Sequence, residues 1–193
     1  MILDTIVARK QEEVAVLKRD GLQGPGQEVE PPRGFTRALT AFPGVAVIAE
    51  AKKASPSKGV IRPDFDPVTI AKNYKAGGAQ AMSVLTDVDF FQGSITYIPL
   101  VRGAVDLPVL RKDFIVSVRQ MQETAVLGAD AVLLIQRLLT PATLRELLVT
   151  AAELDLEVLL ELFPDEDPAP AVASGAAIIG VNARDLATFE VRL

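Results

Sequence analysis

The sequence predicts an α/β protein that is built from repeated strand–helix units. Six apolar runs of strand length recur along the chain, at residues 45–50, 81–86, 107–112, 131–136, 157–162 and 177–182. These runs are nearly continuous rather than alternating, which is typical of strands buried on both faces of a parallel sheet. Segments with helix-start and helix-end signals lie between them. Strands that alternate with helices predict βαβ units and a parallel sheet.

An amphipathic helix is predicted ahead of the first strand, over residues 3–18. Its apolar positions are Leu3, Ile6, Val7, Val14 and Leu17. Charged residues stand between them, namely Arg9, Lys10, Glu12 and Glu13. This spacing is that of a helix with one apolar face. A loop rich in glycine and proline follows, and a short helix is predicted over 35–42.

The helices between the strands carry recognisable end signals. The predicted starts are Asp66-Pro67, Ser117 with Gln120, and Thr140-Pro141, and the predicted ends are Gly77 and Gly128. The residues at the predicted starts can accept hydrogen bonds from the free N–H groups of the first helical turn. The glycines at the predicted ends can adopt the left-handed conformation that often follows the last turn. Pro99 predicts that the helix after Gly93 starts late or bends, because proline is tolerated only in a first turn.

Strand spacing leaves two architectures open. The first and last runs begin at Val45 and Ala177, which gives about 26 residues per repeat, against about 250 residues for a typical eight-stranded barrel. Two more units would bring the 193 residues close to that length. A six-stranded open sheet would be complete as it stands. No Gly-rich dinucleotide fingerprint follows any strand, which weakens the Rossmann version of that sheet.

The composition excludes several kinds of chemistry. The chain has no cysteine, no histidine and no tryptophan, so disulfides, Cys/His metal sites and histidine acid–base catalysis are excluded. Acid–base chemistry must therefore use carboxylates, lysine, tyrosine, hydroxyls or water. The net charge of −5 argues against nucleic acid as the main ligand. Without a transmembrane run or a signal peptide, we expect a cytoplasmic protein that does not bind membranes.

Ionisable and amide groups stand where the apolar runs end. They are Glu50, Lys52, Lys112, Glu161 and Asn182. Because the carboxyl ends of parallel strands form one face of such a fold, these groups are expected to converge on one pocket. Each one taken alone could instead belong to a buried ionic network with a structural role. Four strands that supply such groups at the same relative position favour a functional site, since burying them is costly.

Neighbouring residues indicate an anionic substrate with an aromatic part. Lys52, Ser55 and the backbone of the following Ser-Lys-Gly turn could hold an anion such as phosphate. The Phe90-Phe91 pair and Phe114 would add aromatic walls on the same side. The remaining basic residues of these segments are expected on the solvated rim, namely Lys53, Lys58 and Arg111. With no metal-ligand cluster or cofactor motif, the substrate must bring its own reactivity.

Six stretches of the chain follow the pattern of one enzyme family. They are IAEAKKASPSKGVIRPDFDP (48–67), SVLTDVDFFQGS (83–94), LPVLRKDFI (107–115), GADAVLLI (128–135), LLEL (159–162) and GVNARDL (180–186). On these stretches the chain resembles indole-3-glycerol-phosphate synthase, an enzyme family of tryptophan biosynthesis. Two departures stand out. Leu162 and Phe163 replace a common valine and histidine, and Ala183 replaces an asparagine.

The resemblance implies a (β/α)8 TIM barrel behind an N-terminal helical extension. Residues 1–44 would form the extension, and residues 45–193 would form strands one to six of the barrel, truncated before strands seven and eight. The family's last two units complete its phosphate site and close the barrel. The 193-residue chain alone is therefore expected to lack activity. Its open edges could pair with another copy, whereas a full-length protein would be a monomer.

The resemblance also implies a reaction and a set of catalytic residues. Members of the family are carboxy-lyases that convert 1-(2-carboxyphenylamino)-1-deoxyribulose 5-phosphate to indole-3-glycerol phosphate, carbon dioxide and water, with no metal or organic cofactor. Lys112 matches the general acid at the substrate carbonyl. Glu161 and Lys52 match the pair that transfers protons during dehydration. Glu50 matches the residue that orients both lysines, and Asn182 matches a donor to substrate oxygens.

Five further residues match the family's substrate contacts. Ser55 matches a phosphate ligand and Arg184 a contact for substrate anions, while Phe91, Phe114 and Leu133 match the walls around the anthranilate ring. Two other interpretations remain. One is a non-catalytic barrel fragment, and the other is a different phosphosugar barrel enzyme such as phosphoribosylanthranilate isomerase. The lysine pair and its glutamate argue against the isomerase.

Overall fold

The computed structural model describes residues 2–22, 24 and 29–183. Its strands are β1 (Ile48–Ala51), β2 (Ala54–Ser55), β3 (Gly59–Val60), β4 (Ala81–Leu85), β5 (Val109–Lys112), β6 (Ala131–Ile135), β7 (Glu157–Leu162) and β8 (Ile178–Val181). Its α-helices are α1 (Ile2–Asp20), α2 (Phe35–Thr40), α3 (Pro67–Ala76), α4 (Tyr97–Ala104), α5 (Val118–Val126), α6 (Pro141–Glu153) and α7 (Ala169–Ala173). A 3₁₀ turn, Gln136–Leu138, follows β6.

Six of the strands form one parallel sheet in the order β1-β4-β5-β6-β7-β8. Each strand therefore lies beside the next sheet strand in the chain, and the order never reverses. A reversal of strand order is what creates the crevice of a doubly wound open sheet. The sheet instead curls into a half-barrel, which is the expected arc of a TIM barrel. The remaining strands, β2 and β3, form a short antiparallel hairpin after β1.

The core has two layers, one on each side of the curled sheet. On the convex side, alternate strand residues such as Val84 and Leu160 pack beneath the helices. On the concave side, the fully buried ring of Phe35 packs against Ala81 and Leu110 near the amino ends of the strands. Helix α2 therefore covers the amino ends, and the carboxyl ends stay open for the polar groups.

Most of the predicted helix signals are confirmed in the structure, but Gly77 has φ −76°, and the left-handed residue after α3 is Gly78 with φ +84°. The Asp66 side chain accepts hydrogen bonds from the backbone N–H groups of Val68 and Thr69. Thr140 caps α6 in the same way. Ser117 caps α5, but Gln120 accepts from the backbone of Val116 rather than from Ser117, so the box is shifted by one residue. Pro99 lies in the first turn of a late-starting α4.

Two expectations about particular residues are wrong. The first strand begins at Ile48 rather than Val45, since its register with β4 starts there and Val45 is 90% exposed. Arg111, expected on the solvated rim, is 2% exposed. Strand alternation explains this burial. Lys112 faces the concave side, so Arg111 faces the convex side beneath α5, where its guanidinium pairs with Glu123 at 2.9 Å.

The other two predicted rim residues differ from each other. Lys58 is exposed and Lys53 is half-buried.

No helix within residues 2–22 and 29–183 is both long enough and apolar enough to cross a bilayer.

Candidate active site

A cavity of about 360 Å³ lies at the carboxyl ends of the sheet strands. Its lining includes nine of the ten predicted site residues, namely Glu50, Lys52, Ser55, Phe91, Lys112, Phe114, Leu133, Glu161 and Asn182. The tenth, Arg184, lies outside the described residues. Residues that are distant in sequence meet here because they lie in, or shortly after, the six neighbouring strands of one parallel sheet.

Lys112 stands between two carboxylates at the centre of the cavity. Its ammonium nitrogen lies 3.5 Å from Glu50 Oε2 and 3.8 Å from Glu161 Oε2. The other oxygen of Glu50 accepts a short hydrogen bond from Lys52. One carboxylate on β1 therefore contacts both lysines, and Lys112 on β5 connects it to the carboxylate on β7. The four charged groups therefore form one connected series that reaches across five of the six sheet strands, from β1 to β7.

The electrostatics keep Glu50 ionised. Burial alone would raise the pKa of its carboxyl, but attraction to Lys112 and the hydrogen bond from Lys52 outweigh burial and hold the pKa below its ordinary value. Glu50 is thus an anion throughout the neutral pH range, and it attracts both ammonium groups.

Glu161 is held from the neighbouring strand end. Asn182 Nδ2 donates to Glu161 Oε1 at 3.1 Å, which leaves Oε2 directed at Lys112. The backbone N–H of Asn182 donates to Leu162 O at 2.9 Å, so β8 fixes the position of the amide. An amide donor and a lysine on opposite oxygens give this carboxylate one defined orientation.

An apolar wall faces these charges. The rings of Phe91 and Phe114 lie in tilted contact with 6.0 Å between centroids. Leu133 and Ile135 of β6 and Phe163 after β7 form a continuous buried cluster against Phe114. An aromatic ligand group could pack here while its polar atoms reach the lysines.

The β2–β3 hairpin forms the rim on the other side. Ser55, Ser57 and Lys58 line the cavity there, with the last two exposed. Gly59 has φ +62°, which lets the hairpin turn tightly. The N–H of Ile61 donates to Lys53 O at 2.8 Å and closes the loop. Hydroxyls and an ammonium at an exposed rim suit an anionic group.

Comparison with known proteins decides the family. The family model described as "Indole-3-glycerol phosphate synthase" matches residues 3–193. The chain is 54% identical over 194 aligned residues to the indole-3-glycerol phosphate synthase of Desulfotalea psychrophila, covering 98% of this chain and 75% of that protein. The chain belongs to the indole-3-glycerol phosphate synthase family. The synthase of Rhodopirellula baltica is 48% identical, with 100% of this chain and 76% of that protein covered.

These relatives confirm the family predicted from the six stretches, and they favour neither the isomerase nor the non-catalytic fragment.

Solved structures of other proteins share the fold of this chain. A 3-hexulose-6-phosphate synthase aligns with a TM-score of 0.50 at 16% identity, over 70% of this chain and 65% of that one. A pyruvate carboxylase of Rhizobium etli aligns with a TM-score of 0.53 at 15% identity, over 86% of this chain and 19% of that one.

Phe163 lies at one of the positions where the sequence departs from the family pattern, and it was not among the predicted site residues. Its ring lines the cavity, and the Arg137 guanidinium lies 3.9 Å from the ring centroid. Arg137 also pairs with Asp165 at 2.6 Å and with Glu166 at 3.2 Å. The aromatic ring makes this part of the wall more apolar than the histidine that the resemblance predicts at this position. The sequence signal was the departure itself.

The first turns of α1 form a part of the cavity that no sequence signal indicated. Ile2, Leu3 and Ile6 all line it. The apolar stripe of α1 shows that the helix packs against something, but its spacing carries no information about which surface it covers.

Proposed function

We propose that the protein acts as an indole-3-glycerol-phosphate synthase, a carboxy-lyase that closes the indole ring of 1-(2-carboxyphenylamino)-1-deoxyribulose 5-phosphate. The products are indole-3-glycerol phosphate, carbon dioxide and water. The observation that carries this proposal is the position of Lys112. It is an ammonium donor held between two carboxylates and facing an aromatic wall.

Ring closure needs an acid at the substrate's carbonyl oxygen. The ring carbon that bears the carboxylate attacks the carbonyl carbon, and the oxygen gains negative charge as the new bond forms. Lys112 donates a proton to that oxygen. Glu50 is the anion that keeps the donor charged and aimed. Loss of carbon dioxide then returns the electron pair of the broken bond to the ring.

Dehydration needs a second acid and a base. The oxygen leaves as water after receiving a second proton, and the neighbouring carbon loses one proton as the double bond forms. Glu161 and Lys52 carry out this exchange from opposite sides of Lys112. Two protons are delivered and one is recovered, so the reaction consumes one proton overall. The Asn182 amide holds Glu161 in place and is available to substrate oxygens.

The two sides of the cavity bind different parts of the substrate. The anthranilate ring packs against Phe91, Phe114 and Leu133. The phosphate lies at the hairpin rim beside Ser55. Arg184, outside the described residues, is proposed as a further contact for substrate anions. A substrate ring packed against this apolar side displaces water from it, which strengthens the charge interactions at the reacting carbonyl.

The proposal extends to the organisation of the chain. Residues 1–44 form an N-terminal extension, and residues 45–193 form the first six units of an eight-unit barrel. In the described residues, β1 and β8 are the edges of the sheet. Turnover requires further strands that close the sheet between these edges.

The test is formation of the indole product. The chain has no tryptophan, so it contributes no indole emission of its own. The substrate is supplied to the 193-residue chain and to the same chain fused to the last two βα units of a homologous synthase. We expect turnover in the fused protein. Replacing Lys112 with methionine should lower kcat at least about 10²-fold.

Lys75 provides a matched control, since its ammonium pairs with Asp106 at the surface and it does not line the cavity. Lys75→Met should keep wild-type kcat. A fused protein that folds but forms no indole product would sink the proposed function, and turnover by the 193-residue chain would sink the requirement for closure.

A further inference from the structure

Helix α1 buries a lysine beside the cavity. Lys10 is 2% exposed, and it shares one helix face with Ile6 and Val14 at intervals of four residues. Its ammonium nitrogen lies 2.8 Å from Asp87 Oδ2, 2.9 Å from Asp113 Oδ1 and 2.8 Å from Glu13 Oε2. Asp87 follows β4 and Asp113 follows β5, so one side chain of the extension joins two barrel loops.

The same two carboxylates hold the aromatic wall. Asp87 Oδ1 accepts hydrogen bonds from the backbone N–H groups of Phe90 at 2.7 Å and Phe91 at 3.1 Å. Asp113 Oδ1 accepts from the N–H of Phe114 at 2.8 Å. The rings of Phe91 and Phe114, which contact each other in the cavity, are thus attached to carboxylates that Lys10 draws together.

The charge balance shows why a cation is needed at this point. Asp87 is fully buried and Asp113 is nearly so. Burial would lower the pKa of Lys10, but its three carboxylate partners hold that pKa above its ordinary value, so it is charged. A buried carboxylate that loses its partner is strongly unfavourable. Asp113 keeps Arg111 as a second partner at 3.2 Å, and Asp87 therefore depends more on Lys10.

We propose that Lys10 is a positioning residue that sets the spacing of Phe91 and Phe114 and thereby selects a flat aromatic group in the cavity. Lys10 does not line the cavity itself. It acts through the two loop carboxylates, and the aromatic group is the indole or anthranilate ring only if the proposed function holds.

The first measurement does not depend on function. Hydrogen exchange is followed at the amides of Phe90, Phe91 and Phe114, which are the donors to the two carboxylates. Lys10→Met removes the charge and keeps the stem, and it should lower protection at these amides at least about tenfold relative to the β6 amides. Lys10→Arg keeps the charge and should restore most of the protection at the three amides.

Arg102→Met is the matched control. Arg102 also makes a buried ion pair, with the fully buried Asp130, but it does not line the cavity. The variant should lose stability without changing the relative protection of the three amides. Asp87→Asn is a milder second variant if Lys10→Met does not fold. Asparagine keeps an acceptor for the Phe90 and Phe91 amides but loses the ion pair with Lys10, so exchange should rise there and less at Phe114.

The second measurement is ligand binding by the fused protein, whose added units complete the phosphate site, with indole-3-glycerol phosphate and inorganic phosphate as separate probes. Lys10→Met should lower the affinity for indole-3-glycerol phosphate about tenfold, which corresponds to the loss of the contacts with the two rings. The affinity for inorganic phosphate should stay unchanged. Wild-type-like exchange at the three amides in Lys10→Met would overturn the proposal, as would an equal loosening in Arg102→Met. Failure of the wild-type protein to bind either probe would count against the proposed function, while the exchange data would still decide the role of Lys10.

Discussion

Replacement of Asp113 with asparagine should lower stability in a way that depends on pH. Asp113 is buried at the end of β5. Its Oδ2 accepts from Thr86 at 2.6 Å and lies 3.2 Å from the Arg111 guanidinium, and its Oδ1 faces Lys10 at 2.9 Å. Asparagine has nearly the same shape, so the substitution removes the charge and keeps the volume, while its amide oxygen still accepts at one of the two positions. Arg111 keeps Glu123 and Lys10 keeps Asp87, so neither cation is left alone.

The magnitude follows from proton affinity. Burial alone would raise the pKa of Asp113, but Arg111, Lys10 and the Thr86 hydroxyl lower it from 3.8 to about 2. A tenfold change in proton affinity is worth about 1.4 kcal/mol, so the ionised side chain contributes on the order of 2 kcal/mol at pH 7. Because the folded-state pKa is depressed, this contribution is present above the unfolded pKa and is lost as the pH falls through the folded value. About half of it should be gone at pH 3.

Urea unfolding measured by far-UV circular dichroism tests this, since the chain has no tryptophan to report on unfolding. At pH 7 the Asp113→Asn midpoint should be about 1 M below wild type for a slope of about 2 kcal/mol/M, and the gap should narrow to about half at pH 3. Asp165→Asn is the control, because Asp165 is 79% exposed in its pair with Arg137. It should change stability by less than about 0.5 kcal/mol. A midpoint gap for Asp113→Asn that is the same at pH 7 and pH 3 would refute the reasoning.

Three further outcomes follow. Arg102→Met should cost about 3–5 kcal/mol in urea unfolding, because it leaves the Asp130 carboxylate buried without its guanidinium; a cost below about 1 kcal/mol would contradict this. A Cβ at Gly93 would lie 2.3 Å from Leu85 O, so Gly93→Ala should lower Tm and weaken indole-ligand binding, whereas unchanged values would show that the loop can shift. Since the pKa of Glu50 lies below its ordinary 4.5, any acid limb of kcat that arises from Glu50 should lie below pH 4.5 and vanish in Glu50→Gln.

The sequence predicted the strand ends well because their physics is local. The last residues of an apolar run lie at the carboxyl edge of a parallel sheet whatever the helices do, which is why Glu50, Lys112 and Glu161 meet as expected. Arg111 and Lys112 are adjacent in β5, so their side chains lie on opposite faces of the sheet. The run 107–112 gives no alternation from which to read the two faces, so the burial of Arg111 beneath α5 was not predicted.

What the sequence could not predict depends on contacts between distant segments. Lys10 appears as one of several charged residues of an amphipathic helix, and only the docking of α1 onto the loops after β4 and β5 gives it two buried partners. The β2–β3 hairpin is likewise too short for any periodicity to reveal. Phe163 was visible as a departure from the family pattern, but its place in the cavity wall follows from its packing against β6.

The most direct test of the proposed chemistry compares carbon dioxide release with indole formation in a single turnover, in protein whose sheet is closed. If Lys112 is the acid for ring closure and Glu161 serves dehydration, Lys112→Met should slow both products equally. Glu161→Gln should release carbon dioxide ahead of indole formation, so that a hydroxylated intermediate accumulates. Wild-type rates in Lys112→Met, or carbon dioxide and indole appearing together in Glu161→Gln, would contradict the assigned roles.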